Sequence, residues 1–176
     1  SNIDFIVPRI IKAANDLNRY SKTKLIPGVE LTHVPPKMIQ ELTEVARGLG
    51  AAIVSVHGET IVEPVAPGTN LAAIEARVDI LAHPGFITDD EARLAAQKGV
   101  LLEISGRKGH SLTNGYVARV AQENGAKMAL NSDGHGPDDF MTAERAKNVA
   151  LGAGLSSSEY TQIQQNMKNL VDANFG

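Results

Sequence analysis

Short apolar runs alternate along this chain with segments of helical periodicity, and this alternation limits the folds available to it. Five runs have the length and composition of strands, at 25–31, 51–56, 79–83, 100–105 and 127–132. Segments with apolar residues at helical spacing surround them, over 5–20, 36–49, 71–77, 88–98, 116–124, 141–151 and 157–170. Repeated strand–helix units favour parallel strands joined by right-handed crossovers, so the sequence predicts an α/β fold.

Length and composition indicate one globular domain spanning 1–176, without a linker or a low-complexity segment. The chain is 43% hydrophobic, 21% charged and 4% aromatic, with a net charge of −3. This balance gives no indication of a nucleic acid or a membrane as partner. No apolar run reaches the roughly 20 residues of a membrane helix, so we expect a cytoplasmic location.

The complete absence of cysteine narrows the chemistry further. It excludes disulfides, thiolate catalysis and Cys-based zinc sites, so metal ligands would have to be histidines and carboxylates. The sequence also contains no glycine-rich phosphate loop, no GxSxG elbow and no Rossmann fingerprint. Nucleotide-dependent transfer and serine hydrolysis are therefore not leading candidates.

Each predicted strand leads into a residue that can bind a metal or carry a proton. In chain order these are Glu30 with His33, His57, His83, Glu103, and Asp133 with His135. Parallel strands of an α/β barrel present their C-terminal ends on one face, so these side chains are expected to meet there. In an open sheet, ligands collect only near the switch point. Candidates at every strand end therefore favour a closed or nearly closed ring.

We predict a metal centre built from five of these residues: Glu30, His57, His83, Asp133 and His135. Imidazole and carboxylate are the ligands of Zn, Mn and Fe when thiolate is absent. Clusters of two or more such ions hydrolyse phosphoesters and amides. A glutamate in an apolar strand is costly unless it is paired or ligating, which favours a metal role for Glu30.

A cationic loop with Arg107, Lys108 and His110 follows the fourth strand. It is either a solvated turn or a phosphate clamp, because Arg binds phosphate oxygens bidentately. Beside a metal centre we favour the clamp, and we assign catalytic roles to Arg107 and Lys108. Glu103 either orients a histidine or pairs with a cation, and the roles of His33 and His110 stay open.

Five motifs, GVELTH, SVHGE, ILAHPG, LEISGRKGHS and NSDGH, resemble those of the PHP family, named for polymerase and histidinol phosphatase. The resemblance covers most of the chain. It implies a distorted seven-stranded (β/α) barrel, up to three divalent ions (Zn, Mn or Fe) and hydrolysis of phosphoesters. By resemblance Glu30 would bridge two ions, His57 and His83 would ligate the second, Asp133 would complete the first site and His135 would belong to the third.

The chain lacks the first part of the family pattern, which is a strand bearing an HxH pair, a further histidine and a second strand ending near Asp-His. The resemblance therefore implies a barrel that is incomplete at its N-terminus, as in a truncated piece of a longer protein. About half of the ligands are then missing. We expect one weakly held ion at Glu30, His57 and His83, little activity, and exposed strand edges that a homo-oligomer would cover.

The leading function is that of a metal-dependent phosphoesterase, with two or three divalent ions in the intact protein and a small phosphorylated substrate. One alternative is a metal-dependent amidohydrolase, which acts on C–N bonds with the same ligands. The other is a degenerate PHP scaffold that binds a partner without turnover.

Overall fold

The computed structural model describes residues 2–175, which form five strands and seven α-helices. The strands are β1 (Gly28–Leu31), β2 (Ile53–His57), β3 (Ile80–Ala82), β4 (Leu101–Ser105) and β5 (Met128–Asn131). The helices are α1 (Ile3–Leu17), α2 (Pro36–Gly48), α3 (Thr69–Glu75), α4 (Asp89–Lys98), α5 (Asn114–Asn124), α6 (Ala143–Gly152) and α7 (Ser157–Phe175). Within these residues no helix is both long enough and apolar enough to cross a membrane.

The strands form one parallel sheet in the order β1-β2-β3-β4-β5. Because consecutive strands are neighbours, the crossover helices α2 to α5 also follow one another, each packed against the next. One face of the sheet packs against those helices and forms the main hydrophobic core with them. It contributes Val54 and Val56 of β2, Leu81 of β3, and Leu102 and Ile104 of β4. The prediction of an α/β fold with five parallel strands is confirmed.

The opposite strand face carries both apolar and polar side chains. Its lower part holds Ile80, Leu101 and Ala129, against which Met167 and Leu170 of α7 pack. Alternate residues of a strand share a face, so the positions toward the C-terminal ends on this side are polar: Glu30, Ser55, His57, Glu103, Ser105 and Asn131. The polar residues therefore project above an apolar floor.

A closed ring is not what residues 2–175 form. Strands β1 and β5 are the two edges of the sheet and do not pair with each other. Helix α7 lies against β5, where the buried side-chain amide of Asn166 donates to the Met128 carbonyl at 3.0 Å. Closure of the ring requires the first and last strands to pair. The candidate ligands at the strand ends do not predict whether those two strands pair.

Helix α4 shows how local sequence sets the element bounds. The Thr88 hydroxyl accepts from the Glu91 amide, and the Glu91 carboxylate accepts from the Thr88 amide at 2.9 Å, which is a capping box. The helix ends at Gly99, which adopts a left-handed φ of 77°. Both boundaries agree with the helical segment predicted over 88–98.

Two loops above the sheet are interlocked through a glycine. Gly85, which follows β3, has a φ of +62°, and a Cβ built on it would lie 1.9 Å from the Glu59 carbonyl oxygen in the loop after β2. Gly58 makes a similar approach, since its Cβ would lie 2.4 Å from the Ala82 carbonyl oxygen. The β2 and β3 loops are therefore held at a spacing that only glycine permits.

We predict that Gly85→Ala destabilises the fold more than Gly99→Ala does. Both glycines have positive φ, so each substitution costs about 1–2 kcal/mol in backbone strain. A Cβ at Gly99 would meet no described atom within 4 Å, whereas the one at Gly85 collides with backbone. We expect Gly85→Ala to cost about 3 kcal/mol or more in the free energy of unfolding, measured by urea denaturation. Equal costs would show that the two loops are not interlocked.

Candidate metal centre

The C-terminal ends of the strands bring the candidate ligands together. Glu30, His57 and Glu103 belong to the polar face of the sheet, while His83 and Asp133 lie one or two residues beyond the ends of β3 and β5. Two groups of three side chains each offer ligand atoms that all lie within 4.8 Å of one another. One group is Glu30, His57 and His83, and the other is His83, His110 and Asp133.

The imidazole of His83 is held by Glu103. Glu103 is 3% exposed, and its carboxylate accepts from the His83 Nδ1 at 2.8 Å, the His83 amide at 2.9 Å and the Asn131 side chain at 2.8 Å. A buried carboxylate is tolerated because donors surround it. Since Nδ1 carries the hydrogen, Nε2 of His83 is left with a free lone pair. Of the two roles left open for Glu103, the structure shows the orienting one.

His57 is oriented in the same way from its other side. Its Nε2 donates to the Glu63 carbonyl oxygen at 3.2 Å, so in the neutral ring Nδ1 carries the lone pair. That Nδ1 lies 3.0 Å from the Nε2 of His83 and 3.5 Å from the Oε1 of Glu30. Two imidazole nitrogens and a carboxylate oxygen therefore converge on one another. A proton or a metal ion shared by the three atoms would satisfy all of them.

The electrostatics of this group favour a positive charge there. Burial alone would raise the pKa of Glu30, but contact with His57 and the charges of His83 and His57 outweigh it and hold the pKa below its ordinary value. Burial opposes the charged form of His57, yet Glu30 and the Glu63 carbonyl raise its pKa above the ordinary value. The pKa shifts of Glu30 and His57 therefore both favour an anionic carboxylate at Glu30 with a positive charge beside it.

Of the other predicted ligands, Asp133 joins the second group and His135 joins neither. The Asp133 side chain is 12% exposed, and its burial is the main reason that its pKa lies above the ordinary value. His135 is 66% exposed, its Nδ1 lies 3.7 Å from Asp133 Oδ1, and it accepts from Arg107 at 2.7 Å. The structure therefore brings four of the five predicted ligands into the two groups.

Arg107 and Lys108 differ in their surroundings. Arg107 donates to the Asp133 carbonyl at 3.0 Å, and its Nε lies 3.5 Å from Asp133 Oδ2. Its guanidinium is thus engaged with Asp133 and His135, beside the second group. Lys108 is exposed. A phosphate reaching Arg107 would have to take the place of these contacts.

Three site residues have strained backbones. The non-glycine residues with positive φ between 2 and 175 are His33 (54°), Arg77 (53°), His83 (31°) and Asp133 (49°). Left-handed conformations cost a non-glycine residue free energy and cluster at functional sites. Here they turn the chain sharply after β1, β3 and β5.

Sequence reasoning missed the contributions of Thr60 and Glu63, and it left the role of His110 open. His110 is 4% exposed, and its Nδ1 lies 2.9 Å from the Thr60 hydroxyl. Glu63 reaches across the site, with its Oε1 3.5 Å from His33 Nε2. Glu63 and His110 line a cavity of about 220 Å³, together with Glu30, His57, Asp133 and His135. His110 was visible as a histidine beyond a strand end, but nothing in the sequence marked Glu63 or Thr60.

No protein-family model matches the sequence. Two probable phosphatases, of Thermoanaerobacter sp. (strain X514) and Thermoanaerobacter pseudethanolicus, are each 37% identical over 90 residues, which is 45% of this chain and 37% of the relative. This supports a phosphatase-like relationship over part of the chain.

A solved structure shares the fold. A chain in the cryo-EM structure of archaeal ribonuclease P with mature tRNA superimposes with a TM-score of 0.74 at 16% identity, over 93% of this chain and 75% of that one. The expectation of no nucleic-acid partner is overturned by this finding, since the same fold occurs in an assembly that contains tRNA. Low net charge and few aromatics were poor grounds for that exclusion, because charge can be concentrated locally.

A relative matches nearly the whole chain. The uncharacterized protein MJ1295 of Methanocaldococcus jannaschii is 47% identical over 161 residues, which is 90% of this chain and 74% of the relative. Identity at this level over this length implies the same fold and common descent. The chain belongs to the family of MJ1295.

Proposed function

We propose that this protein is a metal-dependent hydrolase of phosphoesters, of the PHP type indicated by its motifs. Glu30, His57 and His83 hold a divalent ion, which is Zn, Mn or Fe by the chemistry of the ligands. The names of the two Thermoanaerobacter relatives support phosphatase chemistry. A barrel completed by strands outside residues 2–175 belongs to the same proposal.

One observation carries the proposal: the lone pairs of His57 Nδ1 and His83 Nε2 face each other at 3.0 Å, with Glu30 Oε1 3.5 Å from the former. Two ligand atoms of a tetrahedral ion, each about 2.1 Å from it, lie about 3.4 Å apart. The observed separations are close to that value. The donor set therefore fits a divalent ion without rearrangement of the strands.

A bound divalent ion supplies Lewis acidity for phosphoester hydrolysis. The remaining work falls to the side chains around it. Glu103 keeps the His83 imidazole in one tautomer through the 2.8 Å hydrogen bond. Arg107 binds phosphoryl oxygens after exchanging its contacts with Asp133 and His135, and the exposed Lys108 assists from the next position in the loop.

We predict that Glu30→Gln removes phosphatase activity while Glu123→Gln does not. Both change a carboxylate to an amide, but Glu123 lies on α5 and pairs with Arg119 at the surface. Losing a partner that merely orients a ligand costs about 10–100-fold in affinity or activity, and losing a ligand costs at least as much. The assay is phosphate release from p-nitrophenyl phosphate after chelation and addition of Mn²⁺ or Zn²⁺.

The same assay contains the result that would contradict the proposal. Phosphate release that persists under chelation, or that is equal in Glu30→Gln and the parent protein, would rule out a metal-dependent hydrolase at this site. No release in any sample, together with no bound metal, would favour a scaffold without turnover.

Nucleic-acid binding is a second candidate function, favoured by the fold likeness to a chain of ribonuclease P with mature tRNA. The chain offers a basic segment for it. Residues 9–24 contain five Lys or Arg residues (Arg9, Lys12, Arg19, Lys22 and Lys24) against a single acidic residue, Asp16. Phosphate backbones are attracted to such segments even when the protein as a whole is acidic.

We predict that the triple variant Arg19→Gln, Lys22→Gln, Lys24→Gln weakens tRNA binding and its salt dependence. Each lost phosphate contact lowers the slope of log affinity against log salt by about 0.7–0.9. Fluorescence anisotropy with labelled tRNA at several salt concentrations measures both. The control, Lys98→Gln, Lys147→Gln, Lys168→Gln, removes equal charge from α4, α6 and α7. Identical slopes in the two variants, or no binding by the parent protein, would exclude this basic segment as the contact.

A further inference from the structure

Asn70 is a buried residue that joins the two loops carrying His57 and His83. It is the second residue of α3 and is 2% exposed. Its side-chain oxygen accepts from the Glu59 amide at 3.0 Å, and its side-chain nitrogen donates to the Pro84 carbonyl at 2.8 Å. Glu59 lies just beyond His57, and Pro84 directly follows His83. One amide group therefore connects the two loops immediately after the two histidines.

His83 depends on such contacts because the strand ladder does not reach it. The pairing of β2 with β3 ends at His57 and Ala82, one residue before His83. The φ of His83 is 31°, and a conformation of this kind persists only where the surroundings hold it. Glu103 binds the amide and the ring of His83, on one side of this turn. Asn70 holds the other side, through the carbonyl of the next residue.

Glu59 fixes Asn70 in return. The Oε1 of Glu59 accepts from the Gly68 amide at 2.9 Å and from the Asn70 amide at 3.0 Å. Glu59 and Asn70 are thus joined twice, each side chain accepting from the amide of the other. The packing around them is close, since a Cβ on Gly58 would lie 3.0 Å from Asn70 Oδ1 and 2.8 Å from Pro84 Cα. Both loops are therefore attached to the first turn of α3 with little freedom to separate.

We propose that Asn70 is a positioning residue that sets the separation of His57 and His83 and thereby the affinity of the ion position. This inference rests on the proposed function, because it assumes an ion at Glu30, His57 and His83. Glu103 orients the ring of His83, but it does not fix the distance between the two loops. That distance decides whether the facing ring nitrogens, 3.0 Å apart, reach one ion. Residues that hold ligands in place are worth about 10–100-fold in metal affinity.

The experiment compares Asn70→Asp with Asn166→Asp. The first variant keeps the acceptor for the Glu59 amide, but it places a carboxylate oxygen against the Pro84 carbonyl, where a donor is needed. In the control, Asn166 is 7% exposed and donates to the carbonyl of Met128, at the end of β5 opposite the candidate ligands. Each metal-free chain is titrated with Co²⁺ below its melting temperature, by equilibrium dialysis and visible absorption.

We expect both variants to have a lower melting temperature than the parent protein, because each loses a buried hydrogen bond. Only Asn70→Asp should bind Co²⁺ more weakly, by at least about tenfold. The absorption of its bound Co²⁺ should also change, because that spectrum depends on how the ligands are arranged. A purely structural role for Asn70 would alter the melting temperature without altering the spectrum.

The outcomes separate this inference from the proposed function. Unchanged Co²⁺ affinity in Asn70→Asp, or equal weakening in Asn166→Asp, overturns the role of Asn70 and leaves the ion position intact. No Co²⁺ binding by the parent protein overturns both. If Asn70→Asp does not fold, Glu59→Ala decides, because the half-buried Glu59 side chain holds Asn70 from the other loop. Parent-like Co²⁺ affinity in Glu59→Ala would then overturn the inference.

Discussion

The hydrogen bond between Glu103 and His83 is the contact on which the candidate metal centre depends. Glu103 projects from β4 and accepts hydrogen bonds from residues on either side, His83 after β3 and Asn131 in β5. One buried carboxylate thereby joins three neighbouring strands and selects the tautomer of an imidazole. Without Glu103, the imidazole of His83 would have no fixed orientation. Its Nε2 would then not be directed toward Glu30 and His57.

The candidate functions share this scaffold but draw on different parts of it. Phosphoester hydrolysis would use the polar side chains above the sheet, whereas nucleic-acid binding would use the basic segment at 9–24. A fold likeness at 16% identity shows architecture alone, and one architecture supports many activities. The arrangement of Glu30, His57 and His83 is therefore the stronger guide to chemistry, because it concerns atoms that would contact the reacting group.

The sequence predicted the parts of the molecule that depend on local periodicity. Alternation of apolar runs and helices indicated the parallel sheet. The strand ends indicated that Glu30, His57, His83, Asp133 and His135 would converge, and of these His135 belongs to neither group of ligand atoms. His110 was harder, because its position depends on the path of the irregular loop after β4. Glu63 lies in a loop that folds back over His57. The path of that loop cannot be predicted from the spacing of residues in the sequence. Ring closure depends on a pairing between distant strands, which strand composition does not encode.

The left-handed backbones of His83 and Asp133 have a consequence for how such a protein changes over time. At both positions glycine would relax the main chain, yet glycine offers no donor atom for coordination. The backbone conformation at these positions therefore favours glycine, whereas metal coordination requires a side chain with a donor atom. In a descendant that no longer needs the chemistry, glycine would be tolerated at both turns, because it relaxes the main chain there and leaves the strands beneath unchanged.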